Sequence, residues 1–174
     1  MELLTLSHTP SLQLLIAPSD FQREASLRFI AELAQSGPVQ VLDGGNRFDV
    51  LGLNRELRRR ELPLYTALER VQIARAFTCY QMTTLLEGPP QSRTPTLVLN
   101  LLATFQDENA SLIERLRLLE ICLYNLRKWA RRTVVLTVLH PQPSEEPFLV
   151  HVREAADQVW AFEPHSPAAQ LTLL

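Results

Sequence analysis

Lysine and glycine are scarce in this sequence. Of its 17 basic residues, one is a lysine, Lys128, and the other 16 are arginines, while glycine occurs only 5 times in 174 residues. Phosphate-binding loops of nucleotide hydrolases combine a lysine with a run of glycines, because backbone N–H groups wrap around the phosphates and the ammonium group neutralises them. Lys128 follows no glycine-rich turn, so it does not belong to a loop of that kind.

The sequence also has few cysteines, a small net charge and no long apolar run. The two cysteines, Cys79 and Cys122, lie in apolar segments without a CxxC pattern, which predicts buried thiols in a reducing compartment and no metal site. The net charge of −2 gives no general attraction to nucleic acid or to an anionic membrane. No apolar run approaches the ~20 residues of a membrane span, and the N-terminus has no secretory pattern, so we expect a cytoplasmic protein.

The length and the order of segments predict one α/β domain over residues 1–174. A chain of 174 residues suits a single domain. Helical patterns alternate with five apolar segments that are typical of buried strands, at residues 12–17, 39–43, 71–74, 96–103 and 133–139. This alternation predicts three layers, in which a mostly parallel central sheet has helices on both faces.

The C-terminal part has a different pattern. Short apolar segments at residues 148–152, 158–162 and 171–174 are separated by two turns, and the second turn contains Pro164 and Pro167. They predict short antiparallel strands at one edge of the sheet. We therefore expect a core of about residues 12–140 and a β-rich part at residues 147–174.

Polar residues mark the starts of three helices. The spacing of a capping box occurs at Ser19 with Gln22, Thr78 with Gln81, and Ser111 with Glu114. The third pair precedes the clearest helical pattern, at residues 112–130, where leucines repeat every three or four positions.

The connection after the first predicted strand is where a phosphate-binding loop would lie. Residues 17–24 contain no glycine, and Pro18 has no backbone N–H to donate. Arg23 stands at the position of the lysine, and Glu24 stands where a serine or threonine would hold Mg²⁺. This connection therefore has none of the groups that bind nucleotide phosphates in such loops.

Four segments, in order, resemble the RadA/RecA-type recombinases and their paralogues, which have the P-loop NTPase fold. Residues 70–81 resemble the stretch I-A-R-A-F/Y followed by a polar turn and glutamine. Residues 42–48 resemble the second-strand pattern hydrophobic-D-T-E-G-x-F, residues 96–100 the Walker B strand, and residues 134–139 the strand with the DNA-responsive sensor. The resemblance covers about residues 12–140 and implies a RecA-like domain.

The resemblance also implies which positions have lost the residues of ATP hydrolysis. The family's catalytic glutamate falls on Gly45, its Walker B aspartate on Asn100, and the polar end of its sensor strand on Leu139. Together with Arg23 and Glu24, these positions form a degenerate nucleotide site. We therefore expect no catalytic residue, no cofactor and no metal, and a protein that is not an enzyme.

The DNA-binding loops of the family have no clear counterpart. The corresponding connections, residues 106–111 and 140–147, are short and acidic. Arginine clusters that could contact DNA phosphates are found at two helix ends: Arg58, Arg59 and Arg60, and Arg131 and Arg132. The alternative is that these clusters are solvated helix ends, where cations complement the helix dipole.

Two further features also have ordinary alternatives. His140 follows a central strand and so falls near the expected site, but such a residue is more often part of a loop. The turn at residues 44–46 could form an anion-binding nest, or it could be a tight turn whose glycines adopt positive φ.

These observations predict a non-catalytic RecA-like protein that acts in DNA repair or recombination through protein contacts. Its partner would be an ATP-competent recombinase, another repair protein or a second copy of the chain. One alternative is a sequence-independent DNA-binding accessory protein that uses the arginine clusters, and another is a residual nucleotide sensor. We expect no membrane contact.

Overall fold

The computed structural model describes residues 7–61, 63–88, 93–106, 109–140 and 142–162. Within these ranges, strands and α-helices alternate along the chain. The strands are β1 (Ser11–Ile16), β2 (Val39–Asp43), β3 (Val71–Arg75), β4 (Thr96–Leu99), β5 (Val134–Leu139) and β6 (Gln158–Ala161). The α-helices are α1 (Ser19–Ser36), α2 (Val50–Arg59), α3 (Leu64–Glu69), α4 (Cys79–Glu87), α5 (Leu112–Ala130) and α6 (Glu146–Ala155).

The six strands form one sheet in the order β3-β2-β4-β5-β1-β6. Every pairing is parallel, with Leu14 of β1 opposite Thr137 of β5, for example. The predicted parallel sheet is therefore confirmed. The predicted antiparallel strands at the C-terminal edge are wrong for the described residues, because β6 pairs with β1 in parallel.

The error has its origin at residues 148–152, which form part of α6 and not a strand. Pro147 lies in the first turn of α6, where a missing N–H does no harm, and the buried residues Phe148, Leu149, Val152 and Ala155 follow helical spacing. A parallel connection from β5 to β6 also needs a crossover, which α6 provides. The predicted strand at residues 171–174 lies outside the described residues.

The predicted strand at residues 96–103 is too long. β4 ends at Leu99, and Asn100 turns the chain with a left-handed backbone (φ 51°, ψ 43°) into a 3₁₀ turn at Leu101–Phe105. Leu101, Leu102 and Phe105 of this turn are buried, so the turn is nearly as apolar as the strand before it. Apolar runs alone do not separate a buried strand from a buried helical turn.

Two apolar cores, one on each face of the sheet, confirm the three layers. Helices α1, α2 and α3 cover one face, with Ile30 and Leu53 in the core beneath them. Helices α4, α5 and α6 cover the other face, with Leu126 and Phe148 in its core. Each fully buried large apolar side chain stabilises the fold by about 1.5–3 kcal/mol.

Both thiols are buried, as predicted, and neither is in a disulfide. Burial raises the pKa of the Cys122 thiol to about 12. Its sulfur lies 3.4 Å from Oγ1 of Thr83, inside the core between α4 and α5. Among the described residues, no helix is both long enough and apolar enough to cross a membrane.

The sheet topology creates a crevice at one end. The chain leaves β1 for α1 on one face and leaves β5 for α6 on the other face, although β1 and β5 are neighbours. β2 and β4 are also neighbours, and the connections that follow them likewise leave to opposite faces of the sheet. Adjacent parallel strands whose connections leave to opposite faces open a crevice at their carboxyl ends, where ligands bind in open α/β sheets.

Candidate functional site

Two adjoining depressions occupy this crevice. One has a volume of about 180 Å³ and the other about 280 Å³. They share four lining residues, Ser19, Gln22, Arg47 and Asn100, from the connections after β1, β2 and β4. We call the two depressions together the sheet crevice.

The sheet crevice brings together four of the five positions of the degenerate nucleotide site. Arg23 and Asn100 line the first depression, while Gly45, Asn100 and Leu139 line the second. Glu24 lines neither of them. Its carboxylate lies 2.5 Å from the Arg28 guanidinium, one turn along α1 on the exposed side of the helix.

Arg23 carries its charge at the mouth of the crevice next to an acid. Its guanidinium lies 3.4 Å from Oδ1 of Asp20, and both side chains are exposed. Asp20 is in the first turn of α1, where a negative charge complements the helix dipole and occupies the region that a phosphate would need.

The predicted capping box at Ser19 and Gln22 is wrong. The residue before α1 is Pro18, and no side chain caps this helix; the Gln22 N–H instead donates to the Pro18 carbonyl oxygen at 2.9 Å. Ser19 is already the first helical residue, one position too far along to cap the helix. Gln22 is buried at the crevice, and its Oε1 has no hydrogen-bond partner among the residues that the structure describes.

Asp43 organises the connection between β2 and α2. Its carboxylate is fully buried and accepts hydrogen bonds from the N–H groups of Gly45 (3.2 Å), Arg47 (3.2 Å) and Phe48 (3.1 Å). Arg75, at the end of β3, places its Nε 3.5 Å from Oδ2 of the same carboxylate. One buried acid therefore holds a five-residue turn and a neighbouring strand together.

These bonds decide between the two interpretations of the turn at residues 44–46. In this turn the Gly45 N–H donates to Asp43 and the Gly44 N–H donates to the Leu99 carbonyl oxygen, and the N–H groups of Arg47 and Phe48 just after it also donate to Asp43. The anion held here is therefore the chain's own carboxylate. The expected positive φ occurs at Asn46 (48°) and not at a glycine. The tight-turn interpretation holds, but the turn needs its glycines for a reason other than positive φ.

Gly44 and Gly45 are needed because Asn100 approaches them closely. A β-carbon on Gly44 would lie 2.7 Å from the Asn100 carbonyl oxygen, and one on Gly45 would lie 3.1 Å from Cβ and Nδ2 of Asn100. The Gly44 N–H also donates to the Leu99 carbonyl oxygen at 2.8 Å. The end of β4 therefore packs directly against the turn after β2.

His140 and Glu145 lie on the opposite wall of the second depression. Nδ1 of His140 is 3.2 Å from the Ala17 carbonyl oxygen, so this ring is fixed to the connection after β1. Glu145 is buried, and its Oε2 accepts from the Gln142 N–H at 2.9 Å. Burial raises the pKa of Glu145, although the Gln142 N–H and the neighbouring His140 oppose that rise.

The charged side chains that line the sheet crevice are of both signs. Among the described residues, no group of three His, Cys, Asp or Glu side chains could hold a metal ion. Within the same residues, Arg47 forms no ion pair and lines both depressions, but Asp20 and Asp49 line the first depression with it. The turn around Arg47 offers few free N–H groups to an anion because Asp43 accepts three of them.

The arginine clusters lie at the opposite end of the sheet, at the carboxyl ends of α2 and α5. In the first cluster, Arg59 and Arg60 form ion pairs with Glu56, at 3.6 and 3.3 Å. Because α2 and α5 cover opposite faces, Arg58, Arg59 and Arg60 do not share a surface with Arg131 and Arg132. The predicted DNA contacts therefore form two separate patches.

Sequence reasoning missed three residues of the crevice: Gln22 as a lining residue, Arg47 and the role of Asp43. Asp43 could have been found, because a carboxylate at the end of a buried strand and before two glycines is typical of an Asx-type turn. Gln22 and Arg47 had no such signal. The position of these two side chains in the crevice depends on how α1 packs against the turn after β2.

A scan against protein-family models gives no match for this chain, and a search of curated proteins finds none that is similar to it.

Proposed function

We propose that this chain is a non-catalytic RecA-like protein, a pseudo-ATPase, that acts in DNA repair or recombination through contacts with another protein. The observation that carries the proposal is the combination of a site without phosphate-binding groups and a sheet edge that is open for pairing. The resemblance of residues 70–81 to the recombinases supports the choice of partner, because these residues form that edge and its flank.

The loss of catalysis is supported by where the departures lie. Arg23, Gly45, Asn100 and Leu139 come from four different connections or strands, yet all four line the sheet crevice. The strand ends of a parallel sheet meet at one edge, so these positions are where ligands bind in such a fold. None of the four side chains there is a carboxylate that could hold Mg²⁺ or orient water, or a lysine that could neutralise phosphate.

The edge strands of the sheet are β3 and β6, and the proposed edge, β3, has no strand on its outer side among the described residues. At one end of β3 the Val39 N–H donates to the Arg70 carbonyl oxygen, and at the other end the Ala76 N–H donates to the Asp43 carbonyl oxygen. Because bonds of a parallel pair alternate along a strand, the backbone groups of Val71, Ile73 and Arg75 point outward.

Apolar side chains surround this edge. Ile73 is 39% exposed in the middle of β3, and Phe77 is 62% exposed just beyond its end. Tyr65, on the helix that precedes β3, is also exposed. Exposed edges promote strand addition by a partner, in which main-chain bonds supply affinity and pockets for side chains supply specificity. This contact needs no nucleotide.

The test is recovery of partners from the native host with a tagged chain. We expect an ATP-competent recombinase or another repair protein to co-purify with the wild-type chain. Ile73→Pro removes one outward N–H and leaves the bonds between β3 and β2 intact, so it should lower recovery at least about 10-fold.

Ile73→Val is the matched control, because it keeps both the N–H and the apolar surface and should leave recovery unchanged. Circular dichroism and thermal unfolding of all three proteins would establish that the proline variant is folded. Failure to recover any recombination or repair protein with the wild-type chain, or equal recovery with Ile73→Pro, would count against the proposed function.

A further inference from the structure

A stripe of exposed residues on α5 combines one aromatic ring with three cations. Tyr124, Arg127, Lys128 and Arg131 are all exposed, and their spacing of three and four positions places them on one side of the last two helical turns. Tyr124 is 69% exposed. The opposite side of the same turns carries the buried residues of the core.

The cations of this stripe have no acidic partners. Within the part of the chain that the structure describes, Arg127, Lys128 and Arg131 form no ion pair. The sequence explains the difference from other helices, where an acid stands three or four positions before the arginine, as with Glu56 before Arg60. Before Arg127 and Lys128, Tyr124 occupies that position.

The stripe forms one wall of a groove of about 660 Å³. The other wall includes Pro10, which precedes β1, and Asp157, which precedes β6. Asp157 is an acid, but its Oδ2 accepts the Leu12 N–H at 2.7 Å and so fastens the start of β1. The lining of the groove therefore has three cations against a single carboxylate that is already hydrogen-bonded.

The helix dipole accounts for only part of this arrangement. The carboxyl end of α5 carries about half a negative charge, which favours one cation in the last turn. Three unpaired cations exceed that need, and the dipole gives no reason for an exposed tyrosine among them. A positively charged groove with an aromatic ring is what proteins use to hold single-stranded nucleic acid, because phosphates meet the cations and a base stacks on the ring.

We propose that the groove of Tyr124, Arg127, Lys128 and Arg131 binds single-stranded nucleic acid without sequence preference. Arg127, Lys128 and Arg131 contact successive phosphates, and Tyr124 stacks on one base. The groove lies at the amino ends of the strands, opposite the sheet crevice. The inference does not depend on the proposed function, since neither the open edge of β3 nor the lost nucleotide site contributes to it.

The experiment is fluorescence anisotropy with a labelled oligothymidylate and the full chain over a series of salt concentrations. With three phosphate contacts, log Kobs should fall with log salt concentration at a slope of about −2, so affinity drops roughly 20-fold between about 50 and 200 mM salt. Replacing all three cations (Arg127→Gln, Lys128→Gln and Arg131→Gln) should abolish both the binding and the slope.

The matched control replaces the other cluster in the same way, with Arg58→Gln, Arg59→Gln and Arg60→Gln. This variant changes the net charge by the same amount as the first one does, and it should keep the affinity within about twofold of the wild-type value. Tyr124→Ala should weaken binding at least about 5-fold, and Tyr124→Trp should restore it, because stacking needs an aromatic face. Tyr124 is exposed, so neither replacement should alter thermal unfolding.

Three results would overturn the inference. The first is no binding of oligothymidylate at low salt. The second is an equal loss of affinity in both charge variants, which would show attraction to net charge alone. The third is tighter binding of polyglutamate or of duplex DNA than of the single strand, which would assign the groove to an acidic protein or to a double helix.

Discussion

Gly45 and Asn100 approach each other closely where both line the second depression of the sheet crevice. A β-carbon on Gly45 would lie 3.1 Å from both Cβ and Nδ2 of Asn100. These are the two positions where the resemblance to recombinases places the catalytic glutamate and the Walker B aspartate. The two departures are therefore coupled in space, because Asn100 fills the room that a longer side chain at position 45 would need.

Gly45→Ala should lower the free energy of unfolding by about 1–2 kcal/mol, since the added methyl group overpacks this contact. Asn100→Gly removes the obstructing side chain and suits the left-handed backbone at that position, so it should cost less than about 1 kcal/mol. The double variant should be more stable than the sum of the single effects predicts, as measured by urea unfolding in a double-mutant cycle.

Gly44→Ala provides the contrast. Its β-carbon would meet the Asn100 carbonyl oxygen at 2.7 Å, and Asn100→Gly leaves that oxygen in place. We expect a larger loss than for Gly45→Ala and no rescue by Asn100→Gly. Additive effects for Gly45 with Asn100 would refute the proposed coupling.

Asp43→Ala should destabilise the domain strongly. It removes three hydrogen bonds from backbone N–H groups and leaves the Arg75 guanidinium without its carboxylate, so we expect a loss of about 3–5 kcal/mol in the free energy of unfolding. Asp20→Ala is the matched control, because its carboxylate is exposed and forms one ion pair. Its effect should stay within about 0.5 kcal/mol.

Stability should depend on pH through Glu145. Burial raises the pKa of this carboxyl in the folded state above its ordinary value of 4.5. The folded state thus holds the proton more tightly than the unfolded chain does. The resulting stability is fully present below pH 4.5 and is lost as pH rises through the folded pKa.

Glu145→Gln should remove this loss, because glutamine is neutral and its Oε1 can still accept the Gln142 N–H. Urea unfolding of the wild type and of Glu145→Gln at about pH 4 and at about pH 7 would measure this loss of stability. Relative to the wild type, the variant should be more stable at the higher pH than at the lower one. The same difference between the two proteins at both values would contradict the account.

The alternation of strands and helices could be predicted well, because apolar residues recur at a regular spacing within each element and the residues at its ends are recognisable. β2 and α5 have the predicted bounds, and Thr78 and Ser111 cap the helices that follow them, as predicted. These features depend on interactions between residues that are close to one another in the sequence. The place of Arg23, Gly45, Asn100 and Leu139 at the crevice also followed from position, because strand ends of a parallel sheet meet at one edge.

The errors arose where local patterns conflict with tertiary structure. Residues 148–152 are rich in apolar and β-branched side chains, yet the parallel pairing of β6 requires a helix there. Ser19 has a capping pattern, but Pro18 shifts the start of α1 by one residue. The contact of Gly45 with Asn100 joins residues that are far apart in the chain, so no local pattern could reveal it.

If the chain is a pseudo-ATPase, as proposed, the sheet crevice does not bind ATP, and calorimetric titration with Mg-ATP measures this. The connection after β1 has no glycine or lysine, and the turn after β2 directs three N–H groups to Asp43. We predict no heat of binding and no change in the temperature of unfolding. Saturable binding of about one nucleotide per chain, with a rise in that temperature, would contradict the account.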